Sequence, residues 1–228
     1  MKKIFVTSSG TNTGKTLVTC AIAKALKNSG KKVHAIKPLI SGFNKNIVPN
    51  DIFYICEALG ANYITHLEKI FFTSFKNPLS PDMAARVEKI PEIKYDKLKD
   101  FIDGQKKCEY LVVETSGGIM VPINSKKTFL NLIEDSADKI ILVLNSYLGG
   151  LSHGLSAYKL LADAGKRPDM VIVSQNLGRK DELYIPLSET IKSLEKFITA
   201  PIIGVEKLPG GETQKINKLS KILRAYFD

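Results

Sequence analysis

Hydrophobic and polar positions along this chain follow two periods. Short, nearly continuous apolar runs at residues 3–7, 33–37, 110–114, 139–145, 170–175 and 202–205 are rich in Val and Ile. They have the length and composition of strands buried on both faces. Between them, apolar residues recur at helical spacing. After Thr16, the residues Val18, Ala21, Ile22, Ala25 and Leu26 share one face until Gly30 ends the pattern. Helices are further expected over residues 51–59, 81–88, 96–103, 151–164 and 188–197, with a basic one over about 213–226. Strands alternating with helices predict a doubly wound α/β fold, a mostly parallel sheet with helices on both faces. No repeat, low-complexity tract or long linker interrupts the 228 residues, so a single domain spanning 1–228 is expected.

The junction of the first strand and first helix carries the clearest chemistry. Residues 6–16 read V-T-S-S-G-T-N-T-G-K-T. A Gly-Lys-Ser/Thr tripeptide alone arises by chance in roughly one chain in ten of this length. Here it stands between a strand and a helix, the context in which a phosphate-binding loop works. Successive backbone N–H groups of Asn12, Thr13, Gly14, Lys15, Thr16 and Leu17 are positioned to wrap phosphate oxygens at a helix N-terminus. Lys15 is expected to reach the outer phosphates of a nucleoside triphosphate and the Thr16 hydroxyl to coordinate Mg²⁺.

In such a sheet, ligands bind beyond the carboxyl ends of the strands. Lys37 ends the second strand, and Pro38 prevents its continuation. Glu114 ends the strand at 110–114 and precedes Thr115, Ser116 and Gly117. A carboxylate there has the type and place of a magnesium-associated acid. Asp51 is placed either to cap a helix or to face the same site. Buried without a partner, Glu114 would be costly, so Lys15, Thr16, Lys37 and Glu114 read best as one constellation.

Composition narrows the rest. With 44% hydrophobic and 25% charged residues, the chain is ordinary for a soluble globular protein. No apolar run reaches membrane-spanning length. Cys20, Cys56 and Cys108 lack metal-ligand spacing and suit a reducing, cytoplasmic compartment. The net charge of +10 is spread in scattered pairs such as Lys31-Lys32 and Lys126-Lys127, with no interleaved aromatics. Neither nucleic acid nor membrane is therefore expected as a partner.

The ordered set T-N-T-G-K-T at 11–16, K-P-L-I-S-G at 37–42, N-D at 50–51, P-L-S-P at 78–81, V-E-T-S-G-G at 113–118, V-P-I at 121–123 and L-G-G-L-S-H at 148–153 resembles the dethiobiotin synthetase family. The resemblance spans residue 3 to about 210 and implies a homodimeric P-loop ligase. Its expected substrates are ATP, CO2 and 7,8-diaminononanoate, with Mg²⁺ as cofactor. By resemblance, Lys37 and Lys15 are catalytic, and Thr16, Asp51 and Glu114 hold the metal. Thr11, Lys37, Ser41, Gly150, Leu151 and Ser152 contact substrate, near the subunit interface. The base is expected beside Ser174-Gln175 or the neighbouring Asn176, and beside Lys207, Leu208 and Pro209. Four positions depart from the family: Ser8 stands where its first loop glycine falls, Thr115-Ser116 replace Gly-Ala, and Asp82 replaces a common histidine. Two other readings share the loop. A related amidoligase would bring a glutaminase domain for which the chain lacks room. A partitioning ATPase of the ParA/MinD type usually adds a lysine near the first loop glycine, and residues 8–14 contain none.

Overall fold

β1 (Lys2–Ser8) is the spine of the sheet. Its alternating residues serve two cores, with Ile4 and Val6 facing one side and Phe5 the other, all fully buried. The computed structural model describes residues 1–105, 107–175, 185–206 and 209–227. β1 pairs in parallel with β5 (Tyr110–Glu114) on one side and β6 (Lys139–Asn145) on the other. β2 (Val33–Ile36) lies outside β5, while β7 (Met170–Ser174) and β8 (Ile202–Val205) extend the sheet beyond β6. The order is β2-β5-β1-β6-β7-β8, with every neighbour parallel.

Helices cover both faces, as the alternation predicts. α1 (Lys15–Asn28), α2 (Asp51–Leu59) and α9 (Glu212–Arg224) pack over Ile4, Val6, Val112 and Ile141. α5 (Tyr95–Asp103), α6 (Phe129–Ser136), α7 (Gly150–Asp163) and α8 (Leu187–Leu194) pack over Phe5, Val113, Leu142 and Val171. Each fully buried Val, Leu, Ile or Phe contributes roughly 1.5–3 kcal/mol, so the two apolar layers dominate the stability. α4 (Pro81–Val87) begins with Pro81, whose fixed φ suits a first helical turn.

The expected strands and helices are present with boundaries shifted by up to about three residues. Four elements are additional. β3 (Leu39–Ile40) pairs in parallel with β4 (Thr73–Ser74), and α3 (Tyr63–Ile70) lies between them in sequence. These three turn the segment after β2 into a small subassembly over the strand ends. The fourth is α6, whose Phe129, Leu132 and Ile133 have readable helical spacing. Asn131 Oδ1 accepts from the Thr128 backbone N–H at 3.0 Å and fixes its first turn. No described helix is long and apolar enough to cross a membrane.

Candidate active site

The loop between β1 and α1 bends through two left-handed residues, Asn12 (φ 56°) and Gly14 (φ 93°). Gly14 caps α1 without a side chain, leaving the first-turn N–H groups of α1 directed at the loop's hollow. That hollow opens into a cleft of about 1190 Å³ at the carboxyl ends of the strands. Thr11, Asn12, Thr13, Gly14, Lys15, Thr16 and Leu17 line it, together with Lys37, Ser41, Asp51, Glu114, Ser116 and Gly117.

Lys15 is only 6% exposed. Its Nζ donates to Ser8 Oγ at 3.0 Å and to the Gly10 carbonyl at 2.9 Å. Burial pushes its ammonium down to about 8, against a partial counter-effect from Glu114. A negative phosphate group arriving at this point would favour the charged form further.

Two further groups meet at Glu114, whose side chain is fully buried. Thr16 Oγ1 donates to Glu114 Oε1 at 2.8 Å, and Lys37 Nζ donates to the same oxygen at 2.8 Å. Lys37 also pairs with Asp51 Oδ2. Burial alone would lower the Lys37 ammonium, but the Glu114 and Asp51 carboxylates outweigh it and hold the group above the usual lysine range. Burial likewise pushes the Asp51 carboxyl up, yet Lys37 and Thr16 bring it below the ordinary value. Local structure frees Asp51 for this role. The cap of α2 is Asn50, whose side chain accepts from Phe53 N at 3.0 Å, so Asp51 is not the cap.

Among the described residues, no group of three His, Cys, Asp or Glu side chains is placed to hold a metal ion. Magnesium needs no such cage, because it takes one or two carboxylates with substrate phosphates and water. The donor set fits that demand. Glu114 Oε2 is buried without a hydrogen-bond partner, beside the Thr16 hydroxyl and Asp51. Thr16, Asp51 and Glu114 are thus brought together as expected from the sequence.

Ser41 Oγ and Thr13 Oγ1 are also buried without partners, and both residues line the cleft. Pro78, Leu79, Ser80 and Pro81 form a further part of the cleft's wall, as do Val121 and Tyr147. Ser80 and Arg86 hold the Asp82 carboxylate at 2.6 and 2.9 Å, anchoring this wall to α4. Ser174 and Gln175 also line the cleft, with Asn145, Val205, Glu206, Glu212 and Lys215. The last five were not anticipated. Their signal is the carboxyl end of β6 and β8, where ligand contacts are expected, and the first turn of α9.

Other sequence-predicted residues lie elsewhere. Thr115 is buried behind the cleft, within hydrogen-bond distance of Thr7 Oγ1 at 3.1 Å. Gly150, Leu151 and Ser152 stand at the start of α7, outside the cleft of the single chain, as does Pro209. Asn176, Lys207 and Leu208 lie outside the described residues.

A phosphate loop, a strand-end acid and a parallel sheet define a P-loop nucleoside triphosphatase fold. Solved structures agree. The chain is similar to the septum site-determining protein MinD complexed with Mg-ADP from Pyrococcus horikoshii, with a TM-score of 0.57, 16% identity and coverage of 97% and 95% of the two chains. It is likewise similar to the MinC:MinD cell division complex of Aquifex aeolicus, with a TM-score of 0.55, 18% identity and coverage of 99% and 96%. At these identities the likeness speaks for the fold alone. Residues 2–210 match the AAA domain family. Sequence relatives are more specific: the chain is 34% identical to the ATP-dependent dethiobiotin synthetase of Caulobacter sp. (strain K31), covering 99% of this chain and 95% of that one. It is 32% identical to the enzyme of the same name from Methanococcus vannielii, covering 89% and 92%. The chain belongs to the ATP-dependent dethiobiotin synthetase family and is an ATP-dependent ligase.

Proposed function

We propose that the cleft closes the ureido ring of dethiobiotin on 7,8-diaminononanoate, using CO2 and ATP. The observation that carries this reading is Lys37, a buried ammonium ion-paired with Glu114 and Asp51 in the same cleft as the phosphate loop, Ser41 and residues 78–81. A site serving nucleotide hydrolysis alone has little use for a second buried lysine beside Lys15.

In the first step one amine of the substrate adds its lone pair to the carbon of CO2 and loses a proton, giving a carbamate anion. Lys37 is suited to hold this anion, with the unpartnered Ser41 hydroxyl as a further donor. A carbamate oxygen then attacks the γ-phosphorus of ATP, and the bond to the β-phosphate oxygen breaks to release ADP. Lys15 meets the outer phosphates, supported by the amides of residues 12–17. Finally the second amine attacks the carbamoyl carbon, inorganic phosphate leaves, and the nitrogen gives up its proton. Thr16, Asp51 and Glu114 would hold Mg²⁺, which supplies charge neutralisation on the transferring phosphoryl group. The start of α7 would receive the distant substrate carboxylate in a dimer, which accounts for the place of Gly150, Leu151 and Ser152 outside a single chain's cleft.

The test is product formation from diaminononanoate, bicarbonate and Mg-ATP, with each omitted in turn. Ring closure that requires all three supports the reading. ATP hydrolysis stimulated by DNA or lipid, with no effect of the diamine, would replace it with the partitioning class.

A further inference from the structure

Ser8 closes β1, is fully buried, and lies where its hydroxyl touches three parts of the site at once. Its Oγ accepts from Lys15 Nζ at 3.0 Å and from the Gly10 backbone N–H at 3.3 Å. Its own proton has two acceptors within reach, the Gly10 carbonyl at 2.6 Å and the Gly117 carbonyl at 3.2 Å. A hydroxyl has one donor and two lone pairs, so every valence of this one is engaged.

The partners are consequential. Lys15 has three N–H donors, and Ser8 Oγ with Gly10 O takes two of them. The third is left for the ligand, and its direction follows from the other two. Gly117 belongs to the loop after β5, packed so closely on the phosphate loop that a Cβ at Gly118 would lie 3.2 Å from the Ser9 carbonyl carbon and oxygen. The two loops therefore form one rigid wall, and the Ser8 hydroxyl is its hydrogen-bonded joint. A glycine or alanine at this position offers no acceptor, leaving Gly10 O as the only one of the two contacts that fix the ammonium.

We propose that Ser8 is a positioning residue that aims the Lys15 ammonium at the outer phosphates of the bound nucleotide. This deepens the reading of the cleft as a nucleotide site and rests on it, but it is independent of the diamine chemistry. The effect should appear only with ligands bearing outer phosphates, and only while Lys15 is present.

A double-mutant cycle in calorimetric nucleotide binding tests it, on the full chain with Mg²⁺. Ser8→Ala and Ser8→Gly should each weaken ATP binding about tenfold, the order expected when a hydrogen bond to a charged group is lost. AMP affinity should stay within two-fold. In the Lys15→Met background, either Ser8 change should alter ATP affinity less than two-fold. Ser8→Gly introduces no side chain and serves as the second variant where Ser8→Ala folds poorly. Unchanged ATP affinity in both variants would overturn the proposal. So would an equal loss in the Lys15→Met background, because the hydroxyl would then act on the loop and not through the lysine. Wild-type ATP affinity in Lys15→Met itself would instead remove the nucleotide reading beneath it.

Discussion

Thr16 and Lys37 converge on one atom, Oε1 of Glu114, each at 2.8 Å. Lys37 also pairs with Asp51, so the ammonium bridges the two carboxylates assigned to the metal. Removing it leaves two acids without their counter-charge, one of them fully buried. Lys37→Met should therefore lower thermal stability in the metal-free protein. It should also bind Mn²⁺ at least tenfold more tightly than wild type without nucleotide, and added Mg²⁺ should recover part of the lost stability. Manganese paramagnetic resonance and thermal melts check this; wild-type Mn²⁺ affinity in the variant would show that ammonium and metal do not compete.

Catalysis separates Lys37 from the phosphate loop. Lys37→Gln should keep ATP affinity within a few-fold of wild type while dethiobiotin formation falls by roughly two orders of magnitude or more. Arginine should rescue poorly, because a planar fork does not fit the place of a compact ammonium. Calorimetry and single-turnover assays on the same preparations make the comparison. Equal losses in binding and ring closure would make Lys37 a nucleotide ligand.

Glu114→Gln and Asp51→Asn nearly preserve shape but remove one negative charge each. Both should shift the Mg²⁺ dependence of turnover to higher concentration at fixed ATP, Glu114→Gln more strongly because its side chain is buried. Superposable Mg²⁺ titrations for both variants and wild type would leave the carboxylates with a structural role only.

Lys15 yields a pH prediction with a definite sign. Its ammonium is lowered to about 8 in the fold from 10.5, because burial penalises the charge. The folded protein thus binds fewer protons than the unfolded chain between those values, and stability gains as pH rises through that window. Below about pH 8 the penalty is fully present. Lys15→Met should therefore be most stabilising, relative to wild type, at neutral pH. That difference should narrow by on the order of 3 kcal/mol or less by pH 10.5. Urea unfolding of nucleotide- and metal-free protein reads it, while ATP-dependent turnover of the same variant should be nearly abolished. A difference that stays constant with pH would place the Lys15 ammonium in water, and one that widens would mean that the fold favours its charged form.

Association follows from the start of α7. Leu148 and Leu151 are exposed there, beside Gly150 and Ser152, outside the single chain's cleft. Light scattering should report a dimer, the commonest closed pair. Leu151→Asp should dissociate it and raise the KM for the diamine more than that for ATP. A fully active monomer would exclude a shared site.

The sequence was most informative where chemistry and periodicity coincide. Gly14-Lys15-Thr16 at a strand–helix junction, Lys37 before Pro38 and Glu114 closing an apolar run are local signals, and these residues meet in space. The segment after β2 was harder to read. The two-residue strands Leu39–Ile40 and Thr73–Ser74 have no period of their own, and only their mutual pairing makes them an element. α3 has a stripe of Tyr63, Leu67 and Ile70 against the core, but at about two turns it is too short to stand out from a loop. Lys15 illustrates a different limit. Its place in a loop suggests a solvated side chain, yet packing of Ser8 and Gly10 around the ammonium buries it. Asn145 and Glu212 carry only a positional signal, the end of β6 and the first turn of α9, and Tyr147 has no local pattern; strand order and helix placement bring them to the cleft.

The strand order has a consequence for biogenesis. β1 leaves the ribosome well before its two neighbours, which begin only at Tyr110 and Lys139. Parallel neighbours need a crossover, so no local hairpin shields it in the meantime. An apolar strand with two open edges must therefore wait through the synthesis of more than a hundred residues. Nascent chains stalled before residue 139 should be held by chaperones or aggregate, and release from that state should coincide with emergence of β6.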